Sequence, residues 1–162
     1  MTQRTFVSAT EAQTRALGEA LGRELPAGAL VLLQGVLGAG KTTFAQGMAR
    51  GLGIVERVIS PSFVLIREHA GIGDRPGLVH MDFYRLAQRS EALDLGIEDY
   101  LSSDAVVAVE WPERDPKLTA DDVLRVRIAL TSDGRRLDIH AQGARAERAL
   151  AALAGRTTGA PT

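Results

Sequence analysis

Gly35-Val36-Leu37-Gly38-Ala39-Gly40-Lys41-Thr42 fits the G-x-x-x-x-G-K-[ST] phosphate-binding pattern without a gap, and Thr43 follows it directly. The flanks decide what the match is worth. Upstream, Ala29-Leu30-Val31-Leu32-Leu33 is a continuous apolar run of the kind a strand buried on both faces needs, and Gln34 is its first polar residue. Downstream, Phe44 and Met48 stand one helical turn apart in Thr43–Arg50. Strand, glycine-rich loop and helix in that order are what the chemistry requires. The glycines let the backbone curl so that N–H groups cradle phosphate oxygens, and the new helix adds its positive end to the same anion. Lys41 can then reach the outer phosphates, and the Thr42 hydroxyl can ligate a magnesium ion that bridges them. The expected nucleotide contacts are Gly35, Leu37, Gly38, Ala39, Gly40, Lys41, Thr42 and Thr43, with ATP and Mg2+ as cofactors. A glycine-rich turn ahead of an ordinary core helix is the competing reading, and the lysine, the threonine and both flanks weigh against it.

The chain has 162 residues, enough for about one domain with a sizeable core. We expect a single domain over residues 1–155 and a flexible tail over 156–162. With 19 basic and 20 acidic side chains the formal charge is -1, which gives no long-range field to attract nucleic acid. Any RNA contact is therefore expected to be local or borrowed from a partner, and so indirect. There is no cysteine, so disulfides and thiolate metal sites are excluded. The start, Met1-Thr2-Gln3-Arg4-Thr5-Phe6, lacks the apolar core of a signal peptide, and no apolar run reaches the ~20 residues of a membrane span. The expectation is a cytoplasmic protein with no membrane contact.

Ser8-Ala9-Thr10-Glu11 reads as a capping box opening a helix that carries Leu17, Leu21 and Leu25 on one face and ends at Pro26-Ala27-Gly28. Its start is near the phosphate-loop strand in sequence, which makes Thr10 a candidate wall of a base pocket. Past the second helix, which Gly51 and Gly53 stop, Val58–Ile66 reads as a loop leading into a strand, with Pro61 interrupting the apolar run. Ser60 and Ser62 there suit a switch loop sensing the γ-phosphate, or an ordinary X-Pro loop with solvated serines. Residues 69–77 predict a hairpin turn. In the strand that follows, His80, Asp82 and Tyr84 share a face, and a His-x-Asp-x-Tyr-Arg cluster in a nucleotide-binding fold points to function.

Ser90–Leu101 predicts a short helix broken at Gly96. Ala105-Val106-Val107-Ala108-Val109-Glu110 is an apolar strand stopping on a carboxylate, the place where phosphate-loop enzymes keep an acid for the metal. Thr42 and Glu110 are thus the candidate metal ligands. In the last third, Val123–Leu130 and Arg136–His140 alternate around Thr131-Ser132-Asp133-Gly134, an antiparallel hairpin whose arginines, Arg125, Arg127, Arg135 and Arg136, fall on a solvated face. A short helix over Ala144–Ala154 closes the chain, with a frayed end from Gly155. The fold class that follows is α/β: a P-loop nucleotide-binding fold, three-layer α/β/α, with a mixed, mostly parallel sheet and a C-terminal antiparallel hairpin.

No Asn/Thr-Lys-x-Asp stretch is present to read guanine, and no transporter-type signature or second phosphate loop occurs, so ATP is the better base assignment. Over roughly Phe6 to His140 the chain resembles the bacterial TsaE (YjeE) ATPases. The resemblance rests on Leu37-Gly38-Ala39-Gly40-Lys41-Thr42-Thr43, Ser60-Pro61-Ser62-Phe63, His80-x-Asp82-x-Tyr84-Arg85 and Glu110-Trp111. It implies a weak magnesium-dependent ATPase acting with the partner proteins TsaB and TsaD in making the threonylcarbamoyladenosine of tRNA. It also implies that Thr42 and Glu110 hold magnesium, that Asp82 acts in hydrolysis, and that Trp111 sits beside the active site. Lys41, Asp82 and Glu110 are then the catalytic set. The chain departs from the family's usual pattern at Val36, where an aspartate is usual, and at Ser62, where threonine is usual. A small kinase passing the γ-phosphate to a small acceptor, and a nucleotide switch without turnover, are the other readings of the same loop.

Overall fold

The computed structural model describes residues 1–61, 65–87, 91 and 94–157. The apolar run ahead of the glycine-rich loop forms strand β2 (Leu30–Gln34) at the heart of a seven-stranded sheet. It pairs in parallel with β5 (Val106–Glu110) on one side and β6 (Val123–Thr131) on the other, and β5 pairs in parallel with β4 (Leu78–Asp82). Three antiparallel strands extend this block. These are β3 (Ile66–His69) beside β4 at one edge, and β7 (Gly134–Gln142) followed by β1 (Thr2–Ser8) at the other. The sheet order is β1-β7-β6-β2-β5-β4-β3.

The sheet is mixed, but its three parallel and three antiparallel pairings correct the expectation of a mostly parallel one. The difference comes from β1, which runs through Thr2-Gln3-Arg4-Thr5 and has no apolar run to announce it. The predicted turn over 69–77 does form a hairpin, joining β3 to β4, although the strand before it starts only at Ile66.

Alternation in the strands divides the core. Val31 and Leu33 of β2 point to one side, where they meet Leu17 and Leu21 of α1 (Glu11–Glu24), Phe44 and Met48 of α2 (Lys41–Gly51), and Leu150 and Leu153 of α4 (Ala144–Thr157). Leu30 and Leu32 point the other way, onto Val79, Met81, Phe83 and Ile97, the last from the five-residue helix α3 (Ile97–Leu101). Among the described residues, the helical elements on this second face are short, so the expected three-layer α/β/α arrangement is much thinner here than on the α1–α2 side. Gly96 is the αL residue ahead of α3, as its break of the pattern suggests.

Two boundaries shift. The cap of α1 is Thr10, whose hydroxyl accepts from Gln13 N at 3.1 Å while the Gln13 side chain accepts from Ala9 N. Ser8, expected as the cap, instead ends β1 and its hydroxyl donates to Thr10 O at 2.8 Å. Helix α4 runs to Thr157, through residues expected to fray; the five beyond it lie outside the described residues.

Helices α1 and α2 cross at unusually close range because glycines face backbone. A Cβ built on Gly18 would lie 2.2 Å from Phe44 O, and one on Gly47 would lie 2.0 Å from Arg15 O. Gly22 and Gly51 make the same kind of contact one turn further on.

Candidate active site

The parallel register brings the functional side chains together. Asp82 and Glu110 are the last residues of β4 and β5 and are direct partners across the ladder, so both carboxylates sit at the carboxyl edge of the sheet. His80 and Asp82 share the α2 face with Glu110, because Leu78 and Ala108 on the same alternation belong to the core under α2. The loop from Gly35 to Gly40 leaves β2 at this edge and turns into α2 with Gly38 at φ 78 and Gly40 at φ 114, a conformation that residues with a Cβ rarely adopt.

The Thr42 hydroxyl donates to Glu110 Oε1 at 2.8 Å, and His80 Nε2 lies 2.8 Å from the same oxygen. His80 is fully buried, and its Nδ1 has no hydrogen-bond partner among the described residues. Asp82 accepts from Ser60 Oγ at 2.9 Å and from the Tyr84 backbone N–H at 2.9 Å. Its carboxylate is thus fixed from two sides, one of them the loop that precedes Pro61. Ser62 and Phe63 lie outside the described residues.

Lys41 is only 4% exposed. Its ammonium donates to Gly35 O at 2.6 Å and Val36 O at 3.0 Å, and lies 4.2 Å from the centre of the Trp111 ring. Burial lowers its pKa below the usual lysine value, while Glu110, Asp82 and Glu113 pull it back up. Trp111 itself takes φ 57, a left-handed conformation that costs a non-glycine residue roughly 1–3 kcal/mol. That turn brings its ring against Tyr84, with centroids 4.9 Å apart and planes tilted by 49°, and leads into the 3-10 turn Pro112–Arg114.

Lys41, Thr42, Ser60, Asp82, Tyr84, Glu110 and Trp111 line a cleft of about 360 Å3, together with Leu37, Gly38, Gly40, Thr43, Glu11 and Arg135. Gly35 and Ala39 support it from behind through their carbonyls, which accept from Lys41 and from Arg135 Nε at 2.6 Å. Thr10 is used as the helix cap; the adjacent Glu11 is the residue that lines the cleft.

Sequence reasoning missed Arg135, assigning it to a solvated face. Its place follows from β6 lying directly beside β2, a long-range pairing that lets the following turn reach the loop. The Asp133-Gly134 turn was visible in the sequence, but not what it would lean against.

A family model described as threonylcarbamoyl adenosine biosynthesis protein TsaE matches residues 8–137. A Streptomyces coelicolor protein named tRNA threonylcarbamoyladenosine biosynthesis protein TsaE is 48% identical over 117 residues, spanning 70% of this chain and 77% of that protein. A Treponema pallidum protein of the same name is 38% identical over 130 residues, spanning 80% of this chain and 94% of its own length. The crystal structure of YdiB from Bacillus subtilis superposes with a TM-score of 0.81 at 30% identity, covering 96% of this chain and 97% of that one.

Proposed function

The chain belongs to the TsaE family of threonylcarbamoyl adenosine biosynthesis proteins, and on that premise we propose that it is a P-loop ATPase serving this modification of tRNA. One observation carries the reading: the 2.8 Å contact between Thr42 at the end of the glycine-rich loop and Glu110 at the end of β5, with Asp82 on the neighbouring strand. A hydroxyl and a carboxylate held together at a loop built for phosphates are hard oxygen donors suited to magnesium. Thr42 and Glu110 would hold the ion, which would supply compensation for phosphate charge during transfer.

The chain's own residues do the rest. Backbone N–H groups of the glycine-rich loop hold the phosphates, and Lys41 exchanges the carbonyls of Gly35 and Val36 for phosphate oxygen. Asp82, oriented by Ser60 and the Tyr84 N–H, positions the attacking water and accepts its proton. Arg135 braces the loop from the hairpin side. Val36, in place of the family's usual aspartate, is 61% exposed, so the change alters the outer surface of the loop and leaves its inward carbonyl contact with Lys41 in place.

Tyr84 and Leu37 are exposed beside the cleft, an open edge suited to a docked protein. TsaB and TsaD are the proposed partners, with turnover slow until they bind, and the cytoplasm is the proposed location. Among the described residues, no helix is long and apolar enough to cross a membrane.

The test is paired measurement of MgATP affinity and hydrolysis, alone and with TsaB and TsaD added. Asp82→Asn should keep affinity within a few-fold and lose ~100-fold or more in turnover. Glu110→Gln should weaken the dependence of binding on magnesium. Wild-type hydrolysis by Asp82→Asn, or unchanged metal dependence in Glu110→Gln, would remove the corresponding role.

A further inference from the structure

A second cavity, of about 650 Å3, opens beside the helices and shares no lining residue with the cleft. Its walls are the first half of α1, the outer side of α2, and the loop over residues 53–58 that follows α2. Three guanidinium side chains line it, Arg15 from α1, Arg50 from the last turn of α2 and Arg57 from the loop. Among the described residues, none of the three makes an ion pair. The acid in the lining, Glu56, is engaged with His69 Nδ1 at 2.6 Å. Arg15 makes one long bond, to Gln46 Oε1 at 3.3 Å.

Three like charges around one concavity repel each other, and the repulsion is relieved by an anion that several of them can grip at once. Guanidinium forks match phosphate oxygens in pairs, and the volume lies in the range of small-molecule sites. The overall charge of -1 supplies no field to draw in a long polyanion, which favours a compact ligand over an RNA strand. We propose that this cavity is a second anion site, separate from the glycine-rich loop, for a small compound carrying a multiply charged phosphate group.

The site is wired to the cleft through one side chain. Gln46 accepts from Arg15 and donates through Nε2 to Val58 O at 2.9 Å, two residues before Ser60, whose hydroxyl holds Asp82. An anion that draws Arg15 or Arg57 inward therefore pulls on the loop that orients Asp82.

The full chain is first saturated with magnesium and a non-hydrolysable ATP analogue, so that the glycine-rich loop is filled. Inorganic pyrophosphate, with magnesium in excess, is then titrated by calorimetry. One further binding event per chain is expected, weakened ~10-fold or more in the double variant Arg50→Gln/Arg57→Gln, with the affinity for the analogue unchanged. Circular dichroism melting of the variant checks that it is folded. Absence of binding once the analogue is in place overturns the proposal, as does equal binding by the double variant. A tRNA-derived oligonucleotide forms the last arm: if it binds through Arg50 and Arg57 while pyrophosphate does not compete, the face reads RNA and the small-ligand site is wrong. Because the nucleotide site is occupied throughout, none of these outcomes bears on the ATPase reading.

Discussion

The parallel centre of the sheet and its antiparallel edges perform different work. Strands β2, β5 and β4 are buried on both faces apart from Gln34, and their register alone sets Glu110 beside Asp82 and both beside the glycine-rich loop. The β6–β7 flank is half solvated and contributes by reach, its turn delivering Arg135 to the back of the loop. The centre fixes positions to a fraction of a residue spacing, because sliding a strand would move a whole apolar face into water. The edge carries less burial and is freer to vary.

Truncation should expose that contrast most sharply. Leu33→Ala, at a fully buried site in β2, should lower stability by about 2–5 kcal/mol in urea unfolding. A smaller loss would mean that the centre relaxes as readily as the edge. Next in size, Arg135→Ala should weaken nucleotide binding by ~10-fold with little change in unfolding, since it removes a charge-assisted brace and no core volume. Equal loss of stability and affinity would make the hairpin a structural element only.

The smallest effect belongs to Asp138 in β7, which accepts from Thr5 of β1 at 2.7 Å and pairs with Arg136 at 2.7 Å. The Thr5 hydrogen bond, then Arg136 and His140, hold its pKa below the usual carboxylate value against the opposing effect of burial. A lowered folded pKa means the stabilisation is present above the ordinary carboxylate range and is lost as pH falls through the folded value. Asp138→Asn should therefore cost at most about 1 kcal/mol at pH 7, and the difference from wild type should close on acidification. A gap that widens in acid would reverse the assignment.

The same contrast explains what was legible in the sequence. The centre was readable because buried parallel strands are apolar runs, and because the loop's glycines, Lys41 and Thr42 have few other uses at that spacing. Glu110 and His80-x-Asp82 were readable as polar groups at or near the ends of such runs. Strand β1 was not, since an edge strand with Gln3, Arg4 and Thr5 carries no periodic signal of burial. Nor was the inward fold of Lys41 onto its own loop carbonyls and Trp111, which depends on a left-handed turn at a tryptophan that no local rule anticipates. The cap at Thr10 was misplaced by two residues because Ser8 and Thr10 both suit the role, and pairing of β1 with β7 decides between them.

The interlocked glycines of α1 and α2 carry a mechanical consequence. With Gly18 against Phe44 O and Gly47 against Arg15 O, the two helices have no slack between their backbones, and one cannot slide or roll on the other without collision. They form a stiff plate, and the glycine-rich loop is anchored to it at Lys41. Whatever nucleotide does to this protein must then be absorbed off the plate, in the segment from Leu52 to Pro61, which leaves the plate at Gly53 and meets Asp82 through the hydroxyl of Ser60. Stiffness on one side makes that segment the compliant member of the pair.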